Sequence, residues 1–184
     1  MDTPVTNIAF LVSSWAFVFI ILTVHELGHY GVARLFHLPV HEVCVGVGPI
    51  CWSFKIFSTS FVLRLVPGFG YVETHSHNTS WKESVVILAG PCASVLFALL
   101  LAGMSLNSPW FFLPAHMATL FGIISLLPLQ EGSDMRRFLV EWMSPSNVSR
   151  TSLLLYAAAL PCFFLAHVNL FVPAVSFMNS VWLR

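Results

Sequence analysis

Four stretches of this chain stay apolar for long enough to cross about 30 Å of hydrocarbon, for which about 20 helical residues suffice. They run over residues 8–36, 82–105, 110–129 and 151–182. The first overruns the need and is expected to leave the lipid near Arg34. The last contains Pro161 and Pro173 and is expected to kink or split. Between the first two the pattern changes. Residues 43–49, 50–57 and 60–67 are short runs rich in Val, Ile and Phe, separated by Gly and Ser/Thr turns, which predicts short β-strands. Strand backbone at membrane depth must have its N–H and C=O groups satisfied. The β-rich insertion, about residues 40–75, is therefore expected to be buried in protein, interfacial or lining a wet cavity, with an edge free to accept another strand. The pattern predicts an α-helical multi-pass membrane protein with about four transmembrane helices and a short membrane-associated β-segment between the first and second.

Composition agrees with that reading. The 184 residues are 57% hydrophobic and 9% charged, against about 25% charged in soluble domains. No linker-like stretch, charge run or repeat divides them, so residues 1–184 read as a single membrane-embedded domain with no room for an appended soluble module. Control by partners or by prior trimming of a substrate is then expected. A formal net charge of zero points away from nucleic acid as a partner and toward the lipid bilayer as surroundings. With four spans, residues 37–81 and 130–150 share a side that holds seven of the eight basic residues: Arg34, Lys55, Arg64, Lys82, Arg136, Arg137 and Arg150. The positive-inside rule makes that side cytoplasmic and puts both termini opposite. The four cysteines lack CxxC spacing and read as small buried apolar residues. The first apolar stretch has no basic leader and no small-residue cleavage site, so it reads as a retained span.

The chemistry lies in His25-Glu26-Leu27-Gly28-His29. HExxH on a helix sets two imidazoles one turn apart, able to bind one metal ion, with a glutamate beside them as base. Each ionisable residue at bilayer depth costs about 2.5–3.5 kcal/mol on insertion scales, a cost that a purely structural role must explain. Two histidines and one carboxylate leave a fourth position for water, the open arrangement of a catalytic zinc site. Zinc lowers the pKa of water from about 15.7 to about 7 and polarises a carbonyl, while the glutamate moves the proton, so amide hydrolysis is implied.

Candidates for the third ligand are Glu73, His75, His77, Glu83, His116, Glu131, Asp134 and His167. Depth favours Asp134. His25 and His29 lie roughly 13 and 7 Å inward of Arg34 along the helix, and Asp134 stands just before Arg136 and Arg137 on the same side, after Pro128 and Gly132, where a helix can break. A surface or capping aspartate beside the arginines is the alternative. One Zn²⁺ per chain, balanced by Asp134 and an ionised Glu26, sums to zero charge in a low-dielectric site. His75 and His77 flank Ser76 in a polar loop and read as solvated. His116 and His167, inside apolar spans, read as interhelical hydrogen-bonding groups. Gly90, Ala93 and Ser94 read as small residues that let helices approach closely.

Taken in order, these residues resemble the site-2 protease family of intramembrane zinc metalloproteases. Beyond HELGH, the stretches Val45-Gly-Val-Gly-Pro49, Trp52-Ser-Phe-Lys55, Leu63-Arg-Leu-Val-Pro67 and Gly70-Tyr-Val72 resemble the family's membrane-associated β-segment. Ala89-Gly-Pro91 resembles its Ala-Gly-Pro. Leu126-Leu-Pro128 with Gly132-Ser-Asp134 and Arg136-Arg137 resembles its third-ligand region. Ser125 stands where the family commonly has Asn, and Met135 where it usually has Gly. The resemblance implies that His25, His29 and Asp134 hold zinc, that Glu26 is the catalytic base, and that the substrate is a membrane-spanning or membrane-anchored protein. Such a substrate is cut in or near the bilayer while paired against a β-edge, as in regulated intramembrane proteolysis. Two rivals remain: a membrane zinc protease that cuts soluble segments, and a zinc-binding scaffold that does not turn over. A structural zinc site needs no adjacent base.

Overall fold

The computed structural model describes residues 4–74, 81–128, 133–143 and 145–166. It is mostly helical, with one two-stranded sheet. The chain begins with α1 (Pro4–Leu35), whose length of 32 residues follows from an apolar run without internal Pro. It ends where predicted. Leu38 N–H donates to Ala33 O and His37 N–H to Arg34 O, with His37 at a φ of 58°, a Schellman closure in which histidine takes the left-handed position usually given to glycine. Leu38 then packs beside Ala33, fixing the angle at which the chain enters the sheet.

The insertion is a hairpin of β1 (Val40–Ile56) and β2 (Thr59–Thr74), paired antiparallel. The three runs expected to be short strands, 43–49, 50–57 and 60–67, all lie within this hairpin of β1 and β2. Gly46 and Gly48 have φ of 92° and 85°, and the register slips between Val45 and Val47 and again between Val47 and Ile50. Residues 42–45 rise in step with 60–63 while 52–55 run opposite to the same residues, so the chain reverses between Val47 and Ile50, about Gly48. Ile56 faces Thr59 beside the turn, and Val45 faces Gly70 far from it. Residues 42–45 also register with 60–63, so the start of β1 lies between two limbs of β2. Val43, Cys44 and Val45 are accordingly buried. Residues 70–74 form an outer limb, and among the described residues no further strand lies beside the hairpin.

Next come α2 (Trp81–Ser105), a 3₁₀ turn over Pro109–Phe111, α3 (Phe112–Ser125), α4 (Asp134–Trp142) and α5 (Pro145–Ala166). Helix α2 runs through Pro91, and α5 through Pro161, so the kink expected there does not end the helix. Two segments, Val12–Leu35 and Trp81–Ser105, are long and apolar enough to cross a membrane. The third apolar stretch differs from expectation: α3 has 14 residues, roughly 21 Å at 1.5 Å per residue and short of the hydrocarbon thickness. Half of the fourth predicted span, residues 167–182 with Pro173, lies outside the described residues.

Two apolar clusters bracket one short length of α1. Ile21 packs with Ala98, Leu101, Ala115 and Ala118. One stretch further on, Ala33 packs with Val40, Val43 and Val86. The polar residues His25, Glu26 and His29 lie between these clusters, all buried. Gly28 lets α1 and α2 close on one another there, since a Cβ at that position would come 2.6 Å from both Ala89 O and Ala93 Cβ.

Candidate metal centre

Helical spacing stacks His25 above His29 on the face of α1 that meets α2, with ring centroids 4.9 Å apart. Their Nε2 atoms are 3.2 Å apart. Both point at Asp134 Oδ2, at 2.9 Å from His25 and 3.2 Å from His29. The three donor atoms thus form a nearly equilateral triangle. Zinc bonds of about 2.0–2.1 Å at tetrahedral angles put ligand atoms roughly 3.3 Å apart. This donor set therefore fits zinc in both chemistry and spacing. Among the described residues it is the one His/Cys/Asp/Glu group that could hold a metal ion.

Asp134 reaches the site because the chain breaks after α3 and restarts with Asp134 in the first turn of α4, where the helix dipole favours a negative charge. Helix α4 is tied to α2 by Trp142 Nε1–H, which donates to Ser84 Oγ at 2.6 Å. Tyr156 of α5 donates to Pro128 O at 2.8 Å, holding the end of the α3 connection. Burial acts to raise the Asp134 pKa, but hydrogen bonds from Nε2–H of His25 and His29, whose protons a bound metal ion would replace, outweigh it and hold the carboxyl below the usual carboxylate range. It is ionised and ready to act as a ligand across neutral pH.

The second ring nitrogens are held as well. His29 Nδ1 lies 2.7 Å from Val86 O, and His25 Nδ1 lies 2.8 Å from Ser94 Oγ, both on α2. Phe121 meets the His25 ring edge-on at 5.6 Å. Glycines make room for the cluster. A Cβ at Gly90 would stand 2.5 Å from His29 Cε1, and one at Gly70 would stand 2.7 Å from Glu26 Cδ. Glu26 thus lies between α1 and the outer limb of β2. A cavity of about 550 Å³ opens onto His25, Glu26, His29 and Asp134, with Gly68, Gly70 and Val72 of β2 on one wall and Phe121, Ile124 and Ser125 of α3 on another.

His25, Glu26, His29 and Asp134 are all brought together as the sequence suggested. Other candidates are not. Glu83 lines the cavity without joining the cluster, Glu73 faces Glu42 across the hairpin, and His116 is buried in α3. His75, His77, Glu131, Gly132 and His167 lie outside the described residues. Sequence reasoning missed Ser94, Val86 O and Gly70. Their signal was faint: Val86, Gly90 and Ser94 recur every fourth residue and so share one face of α2.

The fold sets a buried HExxH pair and a carboxylate where they could hold a metal ion, and two of its helices are long and apolar enough to cross a membrane. The sequence profile of peptidase family M50, the site-2 protease family, matches residues 14–177, and the chain belongs to that family. That family is one of site-2-type zinc metalloproteases set in membranes. Three relatives are similar over part of their length. A Thermotoga maritima protein, named provisionally as a zinc metalloprotease, is 35% identical over 98 residues, 44% of this chain and 20% of that protein. The regulator of sigma-E protease RseP of Salmonella typhimurium is 31% identical over 97 residues, 44% of this chain and 22% of that one. The regulator of sigma E protease of Haemophilus influenzae is 28% identical over 97 residues, with the same two shares, 44% and 22%. The matched stretch thus spans about a fifth of the length of these relatives.

Proposed function

We propose that this chain is an intramembrane zinc metalloprotease that hydrolyses a peptide bond in or near the transmembrane segment of a membrane-anchored protein, as in regulated intramembrane proteolysis. The observation that carries the reading is the triangle of His25 Nε2, His29 Nε2 and Asp134 Oδ2, with edges of 2.9 to 3.2 Å, set in a helix apolar enough to cross a bilayer. His25, His29 and Asp134 would hold the ion. Zinc bound there supplies Lewis acidity toward the scissile carbonyl and makes water a nucleophile near neutral pH.

The chain's own groups do the rest. Glu26, buried beside the two histidines, takes a proton from water and returns it to the leaving amine. His25, Glu26 and His29 are buried, so charge on these groups acts at a lower dielectric than in bulk water. The outer limb of β2, residues 70–74, forms a wall of that cavity. It offers a substrate an edge to pair with once its helix has unwound, because a helical amide is shielded by its own hydrogen bonds. Four apolar stretches around one domain, the third with a helix shorter than the hydrocarbon thickness, put the site toward the cytoplasmic side and both termini opposite. Seven basic residues on one side support that orientation.

The test offers purified, zinc-loaded chain in bilayers two substrates with the same scissile sequence, one within a transmembrane helix and one in a soluble peptide. Cleavage of the membrane substrate with little of the soluble one is expected. The reverse preference would replace this reading with that of a membrane-bound protease acting on soluble segments.

A further inference from the structure

Five serine and threonine hydroxyls in these helices donate to carbonyls of their own helix. Thr23 donates to Phe19 O, Ser105 to Ala102 O, Thr119 to Ala115 O, Ser125 to Gly122 O and Ser152 to Val148 O. Ser94 departs from that habit. Its Oγ lies 2.8 Å from Nδ1 of His25, on another helix and 69 residues away, while its side chain is 1% exposed. A hydroxyl buried among apolar helices is costly unless it has a partner. Close helix approach would be served as well by alanine, as at Ala89 and Ala93 beside Gly28.

The two histidines are held differently. His29 Nδ1 meets Val86 O, a carbonyl that can only accept, so its Nδ1 carries the proton whatever side chain stands at position 86. His25 meets a hydroxyl, which can donate or accept. The orientation of His25 alone therefore depends on a replaceable side chain. We propose that Ser94 is a positioning residue for His25: its oxygen accepts the Nδ1–H of that ring, which turns the Nε2 lone pair toward His29 and Asp134, where the metal is held. The inference rests on the reading of those three residues as zinc ligands. Partners of this kind fix the tautomer and heading of a ligating imidazole, and losing one weakens metal binding by about 10–100-fold. Without Ser94, Nδ1 would be buried with no acceptor, and the edge-on contacts with His29 and Phe121 would leave the ring free to tilt.

The experiment measures Zn²⁺ affinity by chelator competition for the full chain in detergent, with Ser105→Ala as a control that removes a hydroxyl of the same helix away from the site. Ser94→Ala is expected to bind zinc 10–100-fold more weakly than the native chain, and Ser105→Ala equally tightly. If Ser94→Ala fails to fold, Ser94→Thr and Ser94→Val, alike in shape and differing in the hydroxyl, replace it, and the Thr variant should bind at least 10-fold tighter than the Val variant. A second readout is the His25 Nδ1–H proton resonance of the zinc-loaded chain, which should lose its hydrogen-bonded downfield position in Ser94→Ala. Native-like zinc affinity and an unmoved resonance in Ser94→Ala would overturn the role of Ser94 and leave the zinc reading standing. A native chain that binds no zinc would overturn both.

Discussion

A methyl group added at Gly90 tests the construction of the metal centre most sharply. It would stand 2.5 Å from His29 Cε1 and closer still to His29 Nε2, and ordinary contact begins at about 3.4 Å, so the ring must retreat by more than about 1 Å. The retreat strains the 2.7 Å bond from His29 Nδ1 to Val86 O and opens the 3.2 Å spacing to Asp134. A displacement of about 1 Å at a reacting group costs about 10²-fold in rate. Disturbing what orients a metal ligand costs about 10–100-fold in affinity, or about 1.4–2.8 kcal/mol at 1.4 kcal/mol per tenfold. Stability of the metal-free chain should move much less. Overpacking costs about 1–3 kcal/mol, and replacing a mid-helix glycine by alanine returns about 1 kcal/mol. Gly103→Ala is the matched control on the same helix, because a Cβ there meets nothing within 4 Å. It should leave zinc affinity unchanged and stabilise the fold by about 0.5–1 kcal/mol. Chelator competition and thermal unfolding of the metal-free chains measure both quantities. A Gly90→Ala variant that binds zinc within about threefold of the native chain would refute the packing of His29 against α2.

Gly70→Ala should give the complementary pattern, because its Cβ would stand 2.7 Å from Glu26 Cδ and not against a ligand: zinc binding is kept and cleavage falls by about 10²-fold. Asp134→Ala leaves two histidines as ligands and should lose zinc by more than the 10–100-fold expected of an orienting group. The same comparison by melting should find the native chain stabilised by about 2.7 kcal/mol at zinc 100-fold above its dissociation constant, and Asp134→Ala not stabilised at all. Outside the helices, the Tyr71 phenol donates to the Glu42 carboxylate, which with burial pushes its pKa up to about 12. A folded-state value above the unfolded one of about 10 means that the bond contributes fully below pH about 10 and fades as pH rises through about 12. Tyrosine absorbance should contain one late titration that Glu42→Gln brings earlier.

The candidate quartet was readable because it depends on spacing and depth. His25, Glu26 and His29 lie one turn apart in an apolar run, and Asp134 falls beside Arg136 and Arg137 at the matching level. What holds the quartet was not readable, because it depends on which face of α2 meets α1. Gly90 and Ser94 read in sequence only as small residues for close helix approach and Val86 as an ordinary apolar position, and only the antiparallel packing of α1 on α2 puts Ser94 at His25 and Gly90 at His29. In the hairpin, residues 43–49 read as one short strand, since the sequence does not show that residues 60–63 are flanked by 42–45 on one side and 52–55 on the other. The third apolar stretch read as a full span because hydropathy continues past Ser125, where the helix stops.

The central claim is that Glu26 serves as base beside a zinc held by His25, His29 and Asp134. Its most direct test is Glu26→Gln, which keeps the shape of the side chain and removes its basicity. Zinc content and cleavage of a transmembrane substrate are measured on the same bilayer preparation as the native chain. The account predicts one zinc per chain in both proteins and a loss of cleavage of at least 10²-fold in Glu26→Gln. A variant that cleaves at the native rate, or a native chain that holds zinc and cleaves no substrate, would contradict it.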